Sequence, residues 1–157
     1  MAPVNQHIPC EPQGGRFDGR VHRFAVRVYF EDTDLSGMVY HANYLRWFER
    51  ARSDMLRLLG IDQRAANEAG EGAFAVADLA IRYASPARLD DAVQIETECV
   101  ELGAASCRMH QRAALEDGRL LAEATFRVGF VSPEGRPRRM PAPWRAAFAE
   151  IVTEGSR

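Results

Sequence analysis

One long amphipathic helix pattern, with strand patterns on either side of it, constrains the fold of this chain more than any other feature. Apolar side chains recur at steps of three or four residues, at Tyr44, Trp47, Phe48, Ala51, Met55 and Leu58. This period places them on one face of a helix. Asn43 has a side chain that can cap a helix start, and Arg50 and Asp54 have the i, i+4 spacing of an ion pair. The wide aromatic stripe predicts that other elements pack around this helix.

The rest of the chain predicts the strands that do so. Apolar alternation or short apolar runs occupy the ranges 24–30, 73–83, 93–99, 107–112 and 120–131. Asp117-Gly118 indicates a hairpin, most simply with a type I′ turn. The helix stripe and one face of each strand need the same core. The sequence therefore predicts an α+β fold, in which an antiparallel sheet wraps around one long central helix.

Length and local composition indicate the domain organisation. The 157 residues suit a single domain with one core. Residues 1–20 are rich in Pro and Gly and show no apolar periodicity, so we expect a flexible N-terminal tail there. A single domain is then expected over residues 21–152, with a short helix at 144–152 closing it.

Composition argues against several classes of function. The net charge is −2 with no run of like charge, which disfavours a nucleic-acid partner. All basic residues are arginines, which removes lysine Schiff-base chemistry and the P-loop lysine. No apolar run approaches the roughly 20 residues that cross a bilayer, and the N-terminal residues lack an apolar signal core. The cysteines Cys10, Cys99 and Cys107 are odd in number without CxxC spacing. We therefore expect a cytoplasmic protein without membrane insertion.

A carboxylate-rich turn joins the first strand pattern to the long helix. The strand pattern ends near Phe30, which falls on the face expected to be buried, and Asp32 and Asp34 follow it. The first turn of a helix has unpaired backbone N–H groups that polarise a carbonyl, and an ionised Asp beside them can attack that carbonyl or activate water. This segment is the expected active site.

Other chemistries fit these residues less well. Asp is also a common turn-forming residue, so Asp34 has a purely structural interpretation. The Asp-x-Asp-x-Ser-Gly of residues 32–37 begins like a calcium loop, but its twelfth position is Asn43 instead of a bidentate Glu, and a strand precedes it. Ser36 lacks the G-x-S-x-G elbow of a nucleophilic serine. Neither a metal ion nor any other cofactor is expected.

With these residues in place, the chain resembles the hot-dog-fold acyl-CoA thioesterases, specifically the 4-hydroxybenzoyl-CoA thioesterase family and its subfamily encoded with the Tol-Pal envelope system. The segments that carry the resemblance are VRVYFEDTD at 26–34, GMVYHANY at 37–44, FERAR at 48–52 and YASPARLDD at 83–91. One departure is Tyr29-Phe30, where close relatives often carry two tyrosines. Any role for a phenol at position 30 is therefore lost.

The resemblance implies hydrolysis of the thioester of a short-chain or aromatic acyl-CoA to the free acid and CoA. It implies that Asp34 is the catalytic carboxylate, as nucleophile or as general base, and that the backbone N–H of His41 holds the thioester carbonyl. Participation of the His41 side chain stays open. The residues expected to contact substrate are Gly37, Val39, Tyr40, Asn43, Tyr44 and Arg88. Because family members assemble, a homodimer or homotetramer is expected.

An alternative of a different class is a non-catalytic acyl-binding or scaffold protein with the same fold. Such a protein would contact acyl-carrier protein or enzymes of phospholipid synthesis. Acyl-carrier protein is also an alternative carrier of the acyl group for the enzyme. The presence of Asp34 and Gly37 favours the enzyme.

Overall fold

The computed structural model describes residues 9–153, and within them one six-stranded sheet and three α-helices form the fold. The helices α1, α2 and α3 are Asn43–Leu58, Gln63–Glu68 and Ala142–Ile151. The strands β1 to β6 are Arg16–Asp18, Val21–Arg27, Ala73–Tyr83, Ala92–Leu102, Ser106–Leu115 and Leu120–Val131.

The sheet is antiparallel throughout and packs against α1. Its strand order is β1-β2-β4-β5-β6-β3, so β1 and β3 form the two edges. Phe48, Ala51 and Met55 of α1 have no exposed surface, and alternate residues of β4 are buried beneath the helix. The predicted fold, a sheet wrapped around one long helix, is confirmed. Leu58 is the exception in the predicted stripe, because it is the last helical residue and is half exposed.

A chain of buried polar side chains lies under α1, and we call it the interior polar network. The Arg52 guanidinium donates from Nη1 to Gln111 Oε1 at 2.9 Å and from Nη2 to Glu49. Gln111 in turn donates from Nε2 to Thr97 Oγ1 at 2.9 Å and to the Phe48 carbonyl at 3.0 Å. Arg52, Gln111 and Thr97 are all buried. The network therefore ties the middle of α1 to β4 and β5 through groups that water cannot satisfy.

One kind of three-residue turn occurs at three places, at 34–38, 115–119 and 132–136. In each range, the N–H of the first residue donates to the carbonyl of the last residue. The carbonyl of the first residue accepts the N–H of the penultimate residue. That penultimate residue is a glycine with φ between 78° and 88° at all three places. The hairpin predicted at Asp117-Gly118 is confirmed, but its predicted turn type is wrong, because a type I′ turn needs positive φ at both central residues and Asp117 does not have it.

The N-terminal edge of the sheet corrects the predicted flexible tail of residues 1–20. Residues 16–18 form β1 and pair with β2, Arg16 opposite Arg23 and Asp18 opposite Val21. Pairing with β2 orders residues 16–18, although their local composition gives no strand signal. Residues 1–8 lie outside the described part of the chain.

Asp54 of α1 holds this edge in place. Its Oδ2 accepts the backbone N–H of Gly15 at 2.9 Å and lies 2.7 Å from Nε2 of the buried His22. Burial lowers the pKa of His22, so the neutral ring donates its Nε2–H to the carboxylate. The predicted ion pair between Arg50 and Asp54 is absent from residues 9–153, because Asp54 turns toward the sheet.

Three further features bear on function. In the described residues, no helix is both long and apolar enough to cross a bilayer. The same residues contain no group of three or more His, Cys, Asp or Glu side chains arranged to hold a metal ion. All three cysteines are free thiols, and Cys10 is exposed whereas Cys99 and Cys107 are buried.

Candidate active site

The segment from residue 28 to residue 42, which we call the carboxylate loop, connects β2 to α1. It begins with a 3₁₀ turn over Phe30–Asp32, in which the Asp32 carboxylate accepts the N–H of Tyr29 at 2.8 Å. The turn ends the strand alternation, so Phe30, which the pattern placed on the buried face, is 82% exposed. The Thr33 hydroxyl donates to the Phe30 carbonyl at 2.8 Å and closes the turn. Asp32 therefore shapes the loop.

Asp34 is the first residue of the three-residue turn at 34–38. Its Oδ1 accepts the backbone N–H of Ser36 at 2.8 Å and also the Ser36 hydroxyl. These two hydrogen bonds, with a smaller contribution from the His41 ring, lower the pKa of Asp34 below its ordinary value. The side chain is exposed. Asp34 is therefore ionised at neutral pH and open to solvent, while Gly37 at φ +78° supplies the left-handed residue that this turn requires.

The carbonyl of Asp32 fastens the carboxylate loop to the start of α1. The backbone N–H of Tyr40 and the Nδ2 of Asn43 both donate to it at 2.8 Å. The helix N-cap is Ala42, which has no capping side chain, and the prediction that Asn43 caps the helix is wrong because its amide turns back to the loop. The start of α1 consequently keeps donors that a capping side chain would otherwise occupy.

His41 supplies one such donor. The N–H groups of Val39, Tyr40 and Asn43 each donate to a backbone carbonyl, whereas the N–H of His41 has no acceptor among residues 9–153. The His41 carbonyl accepts the phenol O–H of Tyr83 at 2.8 Å, which fixes the peptide on the helix side of the residue. An open N–H next to the positive end of the α1 dipole is suited to hold a developing oxyanion.

Comparison with known proteins decides the family. A model of the thioesterase-like superfamily matches residues 28–152, which is most of the chain and includes the whole carboxylate loop. The chain belongs to this superfamily. The resemblance derived from the motifs is thereby confirmed.

Individual relatives agree with this assignment. The chain is 43% identical over 129 residues to the acyl-CoA thioesterase YbgC of Haemophilus influenzae, covering 82% of this chain and 94% of that protein. It is 41% identical to the acyl-CoA thioester hydrolase YbgC of Escherichia coli, covering 82% and 96%. A crystal structure of a probable thioesterase from Bartonella henselae superposes with a TM-score of 0.73 at 37% identity, covering 77% of this chain and 99% of that one.

In this thioesterase, the connection from β3 to β4 lies against the carboxylate loop. The backbone of Ala87 links the two, because its carbonyl accepts the N–H of Val39 at 2.9 Å and its N–H donates to the phenol of Tyr44 at 3.3 Å. Arg88 pairs with Met38 in an isolated antiparallel bridge. The structure therefore brings Val39, Tyr44 and Arg88 to the same end of the sheet as Asp34.

The predicted contact residues differ in their access to solvent at this end of the thioesterase fold. Val39, Asn43 and Tyr44 are buried and engaged in internal hydrogen bonds, so they shape the loop from below. Tyr40 is 46% exposed, and its ring lies 4.6 Å from that of His41. Arg88 is exposed and has no ion-pair partner in the described chain.

Sequence reasoning missed two residues of the site. Tyr83 ends β3 and reaches His41 with its hydroxyl, and Ala87 bridges loop and helix with its backbone. Both residues lie in the segment 83–91 that carries the resemblance, but the side chain of Ala87 gives no sign of its role, because its contribution is a peptide group. The signal for Tyr83 was available but weak, since an aromatic residue at a strand end, ahead of Ser85-Pro86, is more often part of a core.

Proposed function

We propose that this acyl-CoA thioester hydrolase uses the Asp34 carboxylate to drive hydrolysis and the backbone N–H of His41 to hold the thioester carbonyl. The observation that carries the proposal is the pairing of an exposed, ionised carboxylate with an unpaired N–H on one loop at the start of α1. The two YbgC relatives described above are acyl-CoA thioester hydrolases by name, which supports the same reaction for this chain.

The hydrogen bonds of Asp34 leave one carboxylate oxygen available for chemistry. Ser36 binds Oδ1, and Oδ2 has no partner among the described residues. As a nucleophile, that oxygen attacks the thioester carbon, the C–S bond breaks to release the CoA thiolate, and water then hydrolyses the mixed anhydride to the carboxylic acid and free Asp34. As a general base, it takes a proton from the water that attacks the thioester carbon, and the C–S bond breaks to give the acid and CoA directly. The His41 N–H and the helix dipole stabilise the negative charge on the carbonyl oxygen in either route. A thiolate is a weakly basic leaving group, so no general acid is required.

The substrate is a short-chain or aromatic acyl-CoA, with acyl-carrier protein as an alternative carrier. The half-exposed ring of Tyr40 beside His41 offers an apolar and polar contact for the acyl group. The unpaired guanidinium of Arg88 is suited to a phosphate of the carrier. Gly37, Val39, Asn43 and Tyr44 complete the proposed contacts, mainly by fixing the backbone of the carboxylate loop.

The chain assembles as a homodimer or homotetramer through β3. This strand has eleven residues, and β6 pairs with one of its edges while the other has no partner in residues 9–153. Val76 and Leu79 of β3 are large apolar residues left exposed there. Unprotected strand edges of this length pair readily with another strand. If the β3 strands of two copies pair across a two-fold axis, the free backbone N–H and C=O groups of both edges are hydrogen-bonded. Light scattering should give a multiple of the chain mass, which Leu79→Lys lowers, and a single-chain mass for the unaltered protein contradicts the assembly.

The free cysteines indicate the cellular compartment of the enzyme. Three free cysteines in a chain with two of them buried support a reducing compartment, the cytoplasm. We assign residues 21–152 to the catalytic domain, which β1 extends at its N-terminal side.

Thiol release from a panel of acyl-CoA esters tests the proposal. Esters from acetyl to decanoyl, together with benzoyl and 4-hydroxybenzoyl, should be hydrolysed with a clear maximum among the short or aromatic members. The same panel is assayed with Asp34→Asn, and ester binding is measured separately by calorimetry. If the esters bind but no member of the panel releases thiol, the proposed catalytic function is wrong and the non-catalytic acyl-binding alternative is favoured.

A further inference from the structure

A cavity lined by charged side chains lies far from the carboxylate loop. It has a volume of about 430 Å³ and is lined by Arg108, Arg127 and Arg145, with Ser106 and Glu101 beside them. We infer that this cavity, the arginine pocket, binds a ligand that carries phosphate groups. The inference concerns a different part of the molecule from the proposed catalytic centre, and its binding test does not depend on turnover.

The arginine pocket is at the opposite end of the sheet from Asp34. Strand β2 runs toward the carboxylate loop and pairs Arg27 with Ala92, so the start of β4 lies at the loop. The other end of β4 is Leu102, and the hairpin from there to Ser106 forms one side of the pocket. At about 3.3 Å per strand residue, the ends of the eleven-residue β4 are roughly 33 Å apart.

Two of the arginines stand directly opposite each other on neighbouring strands. Arg108 of β5 is paired with Arg127 of β6 in the sheet register. Like charges in that position repel, which by itself destabilises the sheet. Glu101 and Asp78 offset part of this repulsion by pairing with Arg108 and Arg127, and an anion that contacts both guanidinium groups would reduce it further. Arg145 of α3 adds a third guanidinium, because the helix packs over the same end of the sheet.

Each of the three guanidinium groups is held in place by its Nε alone. Arg108 Nε donates to Glu101 at 3.1 Å, Arg127 Nε donates to Asp78 at 2.8 Å, and Arg145 Nε donates to the Gly103 carbonyl at 3.3 Å. In residues 9–153 the terminal Nη groups of all three make no hydrogen bond. They are therefore oriented and still able to donate.

The chemistry of this arrangement selects phosphate. Two carboxylates, Glu101 and Asp78, face three arginines, so one positive charge is uncompensated in a chain whose net charge is −2. Paired Nη donors match the spacing of phosphate oxygens and bind them in a bidentate manner. The Ser106 side chain at the hairpin adds a neutral hydroxyl donor within the lining.

Phosphate groups reach the arginine pocket from one of two sources. One source is the CoA part of a substrate whose thioester is bound in the active site of another copy of the chain, because the distance along the sheet separates the pocket from the active site of its own chain. The other source is a free phosphorylated molecule. Both present the same chemistry to the arginines, and kinetics with truncated substrates separates them.

Calorimetric titration with inorganic pyrophosphate and with free CoA tests the inference on the full chain. The unaltered protein should bind at least one of the two probes, and Arg127→Gln combined with Arg145→Gln should raise its Kd at least about tenfold, as loss of two charge-assisted contacts implies. Arg64→Gln is the matched control, since Arg64 is exposed, pairs with Glu68 and lies outside the pocket. Thermal melting confirms that the variants fold. Absence of binding to the unaltered protein, or equal Kd values for the double variant and the control, overturns the inference.

The second measurement identifies the source. If the phosphates belong to CoA, the double variant raises KM for an acyl-CoA and leaves KM unchanged for the same acyl group on N-acetylcysteamine, which has no phosphate. If the ligand is a free phosphorylated molecule, both KM values stay unchanged while pyrophosphate binding is still lost.

Discussion

The carboxylate loop and the interior polar network both consist of polar groups joined by hydrogen bonds, but they are built in opposite ways. The bonds around Asp34 join residues two to four positions apart, and the carboxylate itself is exposed. The bonds of Gln111 reach Arg52 and Phe48, 59 and 63 residues away, and the side chains are buried. A locally built, exposed loop can change its chemistry without changing the fold, whereas the network couples distant elements. We therefore expect activity and stability to separate between the two regions.

The largest effect is expected at Asp34. Asp34→Asn should lower kcat for thioester hydrolysis at least about a hundredfold, because the amide cannot act as nucleophile or base. The thermal midpoint should stay within about 2 °C, since the residue is exposed and Asn keeps the acceptor for Ser36. Glu31→Gln, an equal charge change at an exposed position of the same loop, should retain near-normal turnover. Comparable activity in Asp34→Asn and Glu31→Gln would refute the catalytic assignment.

Gln111→Leu should have the converse effect. It removes the partners of Arg52, Thr97 and the Phe48 carbonyl, so the free energy of unfolding should fall by about 2–4 kcal/mol. Urea denaturation measures the loss, and kcat of the folded fraction should change less than tenfold. Gln94→Leu is the control, because that half-buried strand glutamine makes no side-chain hydrogen bond in the described chain. A stability loss shared by both variants contradicts the role given to the network.

Gly37 and Gly118 allow a smaller, matched test. Both are the left-handed residue of the same three-residue turn, and a Cβ would meet no atom within 4 Å at either. Gly37→Ala and Gly118→Ala should each cost about 1 kcal/mol of stability from backbone strain alone. Turnover should fall only in Gly37→Ala, because only that turn carries Asp34. Equal kinetics of the two variants would show that the exact form of the loop does not matter for catalysis.

The pH dependence of kcat/KM should show the smallest effect. Hydrogen bonds from Ser36 lower the pKa of Asp34, so the carboxylate persists as pH falls and activity should be lost only below the ordinary Asp value of about 4. Ser36→Ala removes the hydroxyl donor and should move this acidic limb to higher pH. Circular dichroism at each pH separates titration from unfolding. An acidic limb that Ser36→Ala leaves in place would assign it to another group.

The same contrast explains how much of the molecule could be predicted from sequence. The long helix, the strands and the Asp34 turn are encoded by residues close together in the chain, and their patterns identified these elements. The end of the first strand was wrong, because β2 stops at Arg27 and a 3₁₀ turn exposes Phe30. The ion pair predicted for Arg50 and the cap predicted for Asn43 failed because long-range partners changed the geometry: His22 and Gly15 engage Asp54, and the Asp32 carbonyl engages the amide of Asn43.

Groups that act across the sheet could not be predicted from one sequence. Arg52 lies between the apolar positions of the α1 stripe, and only the opposing Gln111 shows why a charged residue is buried there. The contact from Tyr83 to the His41 carbonyl depends on β3 ending at the helix start, which requires the strand order of the sheet. The role proposed for Asp34 comes from its motif. The structure adds that its Oδ2 has no partner among the described residues and that the N–H of His41, on the same loop, has no acceptor there.

The distribution of the cysteines affects how the enzyme can be assayed. Cys10 is exposed, whereas Cys99 and Cys107 have only 0% and 2% of their surface exposed, so a reagent in solution cannot reach their thiols in the folded protein. The hydrogen bond with Cys99 and burial also raise the pKa of Cys107. A thiol-reactive dye that detects released CoA will therefore label the native protein once per chain, at Cys10, before any substrate is added. If more than one thiol per chain reacts before substrate is added, the buried cysteines have become exposed and part of the protein is unfolded. The same reagent therefore measures both the released CoA and the unfolded fraction of the enzyme.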